Sequence, residues 1–473
     1  MENKNDTLKE IDIDKFCPDE DIKKLIHRLM SEIERLVREN KDLKEENQRL
    51  RNEIARIKGY SPKPEIKPSK ENNDTEAPKR RREQGKEGDI EVNKTIRIDR
   101  KEKVEPIKKC ECGNCNPKRF HSKGQREVVI QDIKITTNNI AYELGKIECL
   151  KCGRIIEADI PSEIKGRYGN ELKTWVSYFK YELRVPENKI YTLLQEIGMV
   201  ISEAEISKIL LENGEKLSYE TEEIKKTGLL NSTYVNMDET GWRREGNNKH
   251  VWYIGNTKFS AYEIHDKRNS ETAKAVLEIE NDKTKKIVVV HDDFSAYSNL
   301  SVLASGLCFL HEIRLFEKLI PYFDHHAERL NKKIGELWDV YDALKAYRLD
   351  PDSKTKARIE NMFDRTLQEE TGFEDLDHRL ALTCAKKERL LTCLEYPEVP
   401  PENNCAERGL RHVVIIRKIS GGSRSKQGEK SLINHLTVFD TCKKLGIRIK
   451  DYLYCFISGL YPEVKCSALL KPG

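Results

Sequence analysis

Leucine and isoleucine recur every seven residues from Ile22 through Leu29, Leu36, Leu43, Leu50 and Ile57, and a second row (Ile26, Ile33, Asn40, Asn47, Ile54) lies three residues before each later member. A 3.5-residue period predicts a leucine-zipper coiled coil over residues 22–58, with the two asparagines fixing register and strand number in a parallel dimer. The alternative is a single amphipathic helix packed on its own domain. The period is then lost. Residues 61–103 hold four prolines, no aromatic residue and dense mixed charge, including Lys79, Arg80, Arg81 and Arg82, which predicts a disordered linker over 59–105. That basic run reads equally as a phosphate contact or as a solvated charge cluster. Alternating segments REVVIQDIKITTN and IAYELGKIEC follow and predict a short β-hairpin. Residues 168–228 turn helical. VPENKIYTLLQEIG and MVISEAEISKILLENG read as two helices around Gly198, the second capped by Ser202, which fits either a helix-turn-helix or an ordinary helical hairpin. Beyond Leu230 the pattern becomes strands (STYVNMDET, HVWYIGN, FSAYEIH), a helix near 271–280 and the apolar run KKIVVVHDD, the order of an RNase H-like α/β core.

Composition bounds these elements. At 473 residues the chain exceeds one hydrophobic core, and two to four domains are expected. Lys and Arg (85) nearly balance Asp and Glu (81), so overall charge does not announce a nucleic-acid partner and local charge must carry that argument. The N-terminus lacks an apolar signal core and no apolar run is long enough to span a bilayer, so a cytoplasmic location without a membrane partner is expected. Five of the thirteen cysteines cluster at Cys110, Cys112, Cys115, Cys149 and Cys152. Two Cys-x-x-Cys knuckles predict a structural Zn²⁺ site, a zinc ribbon-like module with Cys112 and Cys115 paired to Cys149 and Cys152; Cys110 is a spare that could replace Cys112.

Three acids stand in the sheet-forming half: Asp238 in VNMDETGW, Asp292 in IVVVHDDFSAY and Glu407 in PPENNCAERGLR. Two end or interrupt strand-type runs and the third opens a helix, so a fold can gather them into a two-metal phosphoryl-transfer site, for which Mg²⁺ or Mn²⁺ suits oxygen ligands. Of the adjacent acids, Glu239 and Asp293, strand alternation allows only one of each pair to face a common site. The 115 residues between Asp292 and Glu407 exceed what such a core needs, and their charged helical patterns predict an all-helical insertion. Cys308 and His311 form a Cys-x-x-His pair at its start, read as packing residues, and His325 and His326 are expected to be surface imidazoles. Arg408, Arg411, Arg417 and Lys418, followed by GGSRSKQG, are candidates for DNA phosphate contact; an intrahelical Glu407–Arg411 ion pair is the modest alternative. The tract GEKS lacks the glycine-lysine adjacency of a P-loop and does not imply ATP.

MDETGW, DDFSAY, CFLHEIR and above all PPENNCAERGLRHVVIIRKISGGSRS resemble the DDE transposases of bacterial insertion sequences, the IS66 family in particular. The resemblance implies Asp238, Asp292 and Glu407 as the metal-binding catalytic triad and double-stranded DNA, element ends and target, as substrate. It implies hydrolysis and 3′-OH strand transfer as the reaction, and leaves room for accessory proteins. The expected fold is multidomain α+β: coiled coil (22–58), linker (59–105), zinc-binding module (106–160), helical DNA-binding region (161–230), an RNase H-like core in two parts (231–314 and 399–450) around a helical insertion (315–398), and a tail (451–473). Two other functions fit many of the same features: a zinc-containing dimeric DNA-binding regulator derived from a transposase, and an RNase H-like nuclease without strand transfer.

Overall fold

The computed structural model describes residues 19–57, 98–104, 127–160, 166–277, 286–298, 300–460 and 465–471. Cys110, Cys112, Cys115, the basic run at 79–82 and most of the expected linker lie outside them. The heptad segment forms one 38-residue helix, α1 (Glu20–Ile57). Its Ile26 and Met30 pack against Tyr322 and Phe323, and the Glu34 carboxylate accepts the backbone N–H groups of Tyr322 (2.8 Å) and Phe323 (3.3 Å). The leucine row lies elsewhere: Leu29, Leu36 and Leu43 remain 50–58% exposed. Packing on its own chain therefore takes Ile26 of the second row and leaves the leucine row open. Contacts divide the chain into two units, residues 1–49 with 138–473, and residues 50–137. In the second, the described residues are the end of α1 and non-strand segments at 98–104 and 127–137.

The hairpin forms at a different place from the one the alternation predicts. Strands β1 (Lys146–Glu148) and β2 (Ile155–Glu157) pair antiparallel across the CLKCGR turn, with Ile147 opposite Ile156. Residues 127–145 are not in strands, and Val128, Ile130 and Ile133 are widely exposed. Alternation makes a backbone compatible with a strand, but a strand also needs a partner edge. The knuckle turn supplies one: Cys149 N–H donates to the Arg154 carbonyl (2.9 Å), and Cys152 and Gly153 donate to the Cys149 carbonyl (3.2 and 2.8 Å).

Helices α2 (Asn170–Ser177), α3 (Glu187–Glu196), α4 (Glu203–Lys216) and α5 (Ser218–Leu230) follow. Ser202 caps α4 by accepting the Glu205 N–H (3.2 Å). Helix α4 buries Ile206, Ile209 and Leu210 and turns Glu203, Lys208 and Glu212 outward. Buried Asn213 ties it to α2 through the Lys173 carbonyl (3.0 Å) and Ser177 Oγ (2.9 Å). These helices share one hydrophobic core with the sheet that follows.

That sheet has five strands: β3 (Tyr234–Arg244), β4 (Asn247–Gly255), β5 (Ser260–His265) and, after α6 (Ser270–Leu277), β6 (Val288–His291) and β7 (Ala304–Leu307). Their order is β5-β4-β3-β6-β7; the first three form an antiparallel meander, and β6 and β7 run parallel to β3. Val288 and Val290 pack with Val399 on one face of β6, and Val289 joins the main core on the other. Burial on both faces explains an uninterrupted valine run where a half-exposed strand would alternate. Strand β7, with the sequence ASGL, carries no β-branched or aromatic signal and is a strand because β6 pairs with it.

The segment between β7 and the last sheet-covering helices is all-helical: α7 (Phe309–Phe316), α8 (Asp324–Tyr347), α9 (Ser353–Gln368), α10 (Glu374–Cys384) and α11 (Lys387–Leu390), with a core of its own around Phe309, Leu337, Leu344 and Phe363. His326, expected at the surface, is fully buried at the start of α8, because α1 covers it. Helices α12 (Asn404–Ser420), α13 (Lys426–Lys444), α14 (Ile449–Ser458) and α15 (Cys466–Leu469) return to the sheet and the α2–α5 layer. Among the described residues no helix is long and apolar enough to cross a membrane.

Candidate active site

Sheet register brings the first two acids together. Asn236 pairs with Val290 on the neighbouring parallel strand, so Asp238, within β3, and Asp292, just past the end of β6, each two residues further along, stand at the same level. The third acid arrives on α12. Asn403, just before that helix, donates from Nδ2 to the Met237 carbonyl (2.7 Å) and accepts from Asn236 Nδ2 (2.9 Å) through Oδ1. Glu407 then lies in the first turn of α12. Gly409 permits the close approach of this helix: a Cβ there would stand 2.5 Å from the Tyr253 ring and 3.0 Å from the Tyr262 hydroxyl.

Electrostatics single out Asp238. Burial, then the negative charges of Glu239 and Asp292, and more weakly Glu407, raise its pKa to about 7, against one lowering contact from the Glu239 N–H to its Oδ1 (2.8 Å). Like charges held together in a partly desolvated cleft are destabilising until something positive joins them. An oxygen-only set from Asp238, Asp292 and Glu407 suits a hard divalent cation.

The neighbouring acids are committed elsewhere. Buried Glu239 accepts from Arg268 (2.5 Å) and from the Tyr297 hydroxyl, on the opposite face of β3. Asp293 pairs with Lys386 (2.9 Å) and Arg389 (3.4 Å) of the insertion. Asp292 makes a local turn, its Oδ1 accepting the Phe294 N–H (3.2 Å). Beside it His291 is buried and neutral, its pKa lowered to about 4 by desolvation; one ring nitrogen bonds the Asp292 carbonyl and the other Ser305 Oγ (2.7 Å).

Glu407 pairs with Arg314 (3.3 Å) of α7 rather than with Arg411, and His311 Nδ1 lies 3.6 Å from it. Cys308, His311 and Glu407 each place a donor atom within 4.8 Å of the others. Burial pushes the Cys308 thiol up to about 11, and its sulfur accepts the Asn403 N–H (3.2 Å), a packing contact that also locates the start of α12. The supporting residues Asn236, Asn403, Tyr297, Arg268 and Arg314 were not singled out from sequence. The asparagines and Tyr297 stand in the same motifs as the acids and Arg314 closes CFLHEIR, whereas Arg268 has no local signal.

Of the basic candidates, Arg408, Arg411 and Lys418 are exposed on α12. Arg417 is half-buried and donates to the Gly241 carbonyl, lining with Lys418, Arg243, Lys249 and His250 a shallow cleft at the end of β3. The glycine-rich turn after α12 is zipped to that strand end: Ser423 N–H donates to the Arg243 carbonyl (2.9 Å) and Glu245 N–H to the Ser423 carbonyl (3.1 Å). In the distant knuckle turn, Cys149 has its pKa lowered by the N–H groups of Lys151 and Cys152 and then by the Cys152 thiol, which favours a thiolate.

Asp238, Asp292 and Glu407 thus stand near one another where β3, the end of β6 and the first turn of α12 adjoin, close enough for Asp292 and Glu407 to raise the Asp238 pKa. The transposase IS66 family model matches residues 165–431, more than half of the chain, from the end of the cysteine region through α12 to α13. The chain belongs to the IS66 transposase family. It is similar to the uncharacterised protein y4jO of Sinorhizobium fredii, with 35% identity over 166 residues, 35% of this chain and 51% of that protein. The chain thus spans about half the length of that relative.

Proposed function

We propose that this chain is the DNA transposase of a bacterial insertion sequence, cutting a phosphodiester at each element end and joining the 3′-hydroxyl to target DNA. Its catalytic residues are Asp238, Asp292 and Glu407, on an RNase H-like core formed by β3–β7 and α12. The observation that carries the reading is the convergence of these three acids: one on β3, one level with it just past the end of the adjacent parallel strand, the third on a helix fastened beside them, with Asp238 driven up to about 7 by burial and then by its acidic neighbours. The strand order, an antiparallel meander extended by two parallel strands beside its first member, supports the core assignment.

Asp238, Asp292 and Glu407 would hold Mg²⁺ or Mn²⁺. Bound divalent ions supply a lowered pKa for the attacking water or hydroxyl and stabilisation of the departing 3′-oxygen. The protein's own part is positioning. Asn403 and Asn236 fix α12 against β3, Arg314 orients Glu407, and His291 holds the backbone that presents Asp292. Arg408, Arg411 and Lys418, with Arg417 tethered behind them, offer guanidinium and ammonium groups to phosphate oxygens. The heptad face of α1 pairs two copies, and Cys149 and Cys152 with Cys112 and Cys115 hold a structural Zn²⁺. The protein acts in the cytoplasm, on the nucleoid.

The test is incubation of purified protein with duplexes carrying the ends of its own element, with Mg²⁺, Mn²⁺ or EDTA. Metal-dependent 3′-OH ends and joined products are expected, and pre-cut ends should still be joined. Cutting without joining would favour a nuclease. Retention of activity by Asp238→Asn or Glu407→Gln would remove the triad assignment.

A further inference from the structure

We propose that His27, His325 and His326 form a second metal site, a three-imidazole Zn²⁺ site that fastens α1 to the helical insertion. One nitrogen of each ring lies within 4.8 Å of the others, although His27 is about three hundred residues from the pair in sequence. A tetrahedral ion with 2.0–2.1 Å bonds needs nitrogens about 3.3 Å apart, so modest ring rotation closes the set and leaves a fourth position for water.

The tautomer is already arranged. His326 is fully buried, and its Nδ1 lies 2.9 Å from Glu34 Oε1, an oxygen that also accepts two backbone N–H groups and can only accept from the ring. The proton therefore sits on Nδ1 and the lone pair on Nε2, a buried nitrogen with no hydrogen-bond partner. Carboxylate–imidazole–metal relays use this arrangement: the acid fixes the ring and raises its basicity. Glu34 is itself buried, with side-chain exposure of 1%, and a cation beyond the imidazole compensates a carboxylate that is costly to bury.

The surroundings shape the cluster. His326 stacks on Phe373 (centroids 4.8 Å, 10° between planes). Gly372, at φ +72°, has its missing Cβ position 2.9 Å from the His27 ring, so the chain there is bare where the imidazole lies. His27 and His325 are half-buried, which gives an ion a route in. Adjacent histidines lack ligand spacing in the sequence; the third imidazole comes only when α1 docks.

The experiment uses the full chain, stripped of metal, reloaded with Zn²⁺ and desalted, with bound zinc counted by mass spectrometry. Wild-type protein should hold one zinc more than His27→Ala, and Cys149→Ser/Cys152→Ser protein should keep the histidine-dependent ion. Cobalt(II) distinguishes the sites independently: the cysteine variant should show ligand-field bands without thiolate charge transfer, lost on adding His27→Ala. Glu34→Gln should weaken binding about 10- to 100-fold. His27 is half-buried on an outer helix, and circular dichroism checks that its variant folds. Equal zinc counts in wild type and a folded His27→Ala, or a cobalt spectrum unchanged by that substitution, would overturn the proposal.

Discussion

Replacing Asp238 by asparagine should stabilise the metal-free protein while abolishing its chemistry. Asp238 sits at about 7 because burial, Glu239 and Asp292 oppose its charge. The distance from the ordinary 3.8 corresponds to about 4 kcal/mol of disfavoured ionisation at full strength. Asp238 is only half-buried, so relaxation and water entry reduce this to about 2 kcal/mol. The sign follows from proton binding. The folded protein holds this proton more tightly than the unfolded chain, so wild-type stability falls as pH rises from about 4 to about 7 and then levels. Asparagine carries no charge and keeps an oxygen for the Glu239 N–H. In EDTA at pH 8 the variant should therefore melt about 4 °C above wild type, a gap that shrinks at pH 5. Magnesium should raise the wild-type melting temperature and erase most of the difference. Thermal melts of both proteins at the two pH values, with and without Mg²⁺, measure each term. Equal melting temperatures at pH 8 in EDTA, or a gap that widens at pH 5, would refute the electrostatic account.

Three further outcomes are expected. Asp292→Asn should abolish cleavage of end duplexes, whereas Asp293→Asn should stay within a few-fold of wild type, because Asp293 is paired with Lys386 and Arg389 on a part-exposed surface worth about 0–1 kcal/mol; reversed activities would exchange their roles. Gly409→Ala should lower stability by about 1–3 kcal/mol in urea titrations and reduce cleavage, since its methyl would meet the Tyr253 ring and lift Glu407 from the strand acids. Leu36→Glu with Leu43→Glu should give monomers by light scattering with a melting temperature close to wild type, because both leucines are at least half exposed in a single copy; an unchanged oligomer would remove the zipper from self-association.

Much of the local structure was legible. The heptads mark α1, the cap residue Ser202 marks the start of α4, and VVVH marks a strand buried on both faces. Asp238 and Asp292 could be read as strand residues and Glu407 as a helix residue from the same patterns. Strand β7 was not legible, because Ala304, Ser305, Gly306 and Leu307 have no strand signal apart from the edge of β6. The hairpin was displaced for the same reason, since residues 127–145 carry the alternation and the knuckle turn carries the pairing. The tie from Asn213 to α2 has no local signal either, because its partners lie 36 and 40 residues away.

The sequence by itself determined which residues are chemically capable: three acids in recognisable surroundings, cysteines in knuckle spacing, and a leucine row on one face of a helix. Those properties travel with local period and composition. Only tertiary structure decided which acids share a cleft, that Glu239 and Asp293 are occupied by Arg268, Lys386 and Arg389, and that His27 meets His325 and His326. These depend on strand register and helix docking. A periodic pattern specifies that a face must be covered, but the shape and charge of a distant segment decide what covers it.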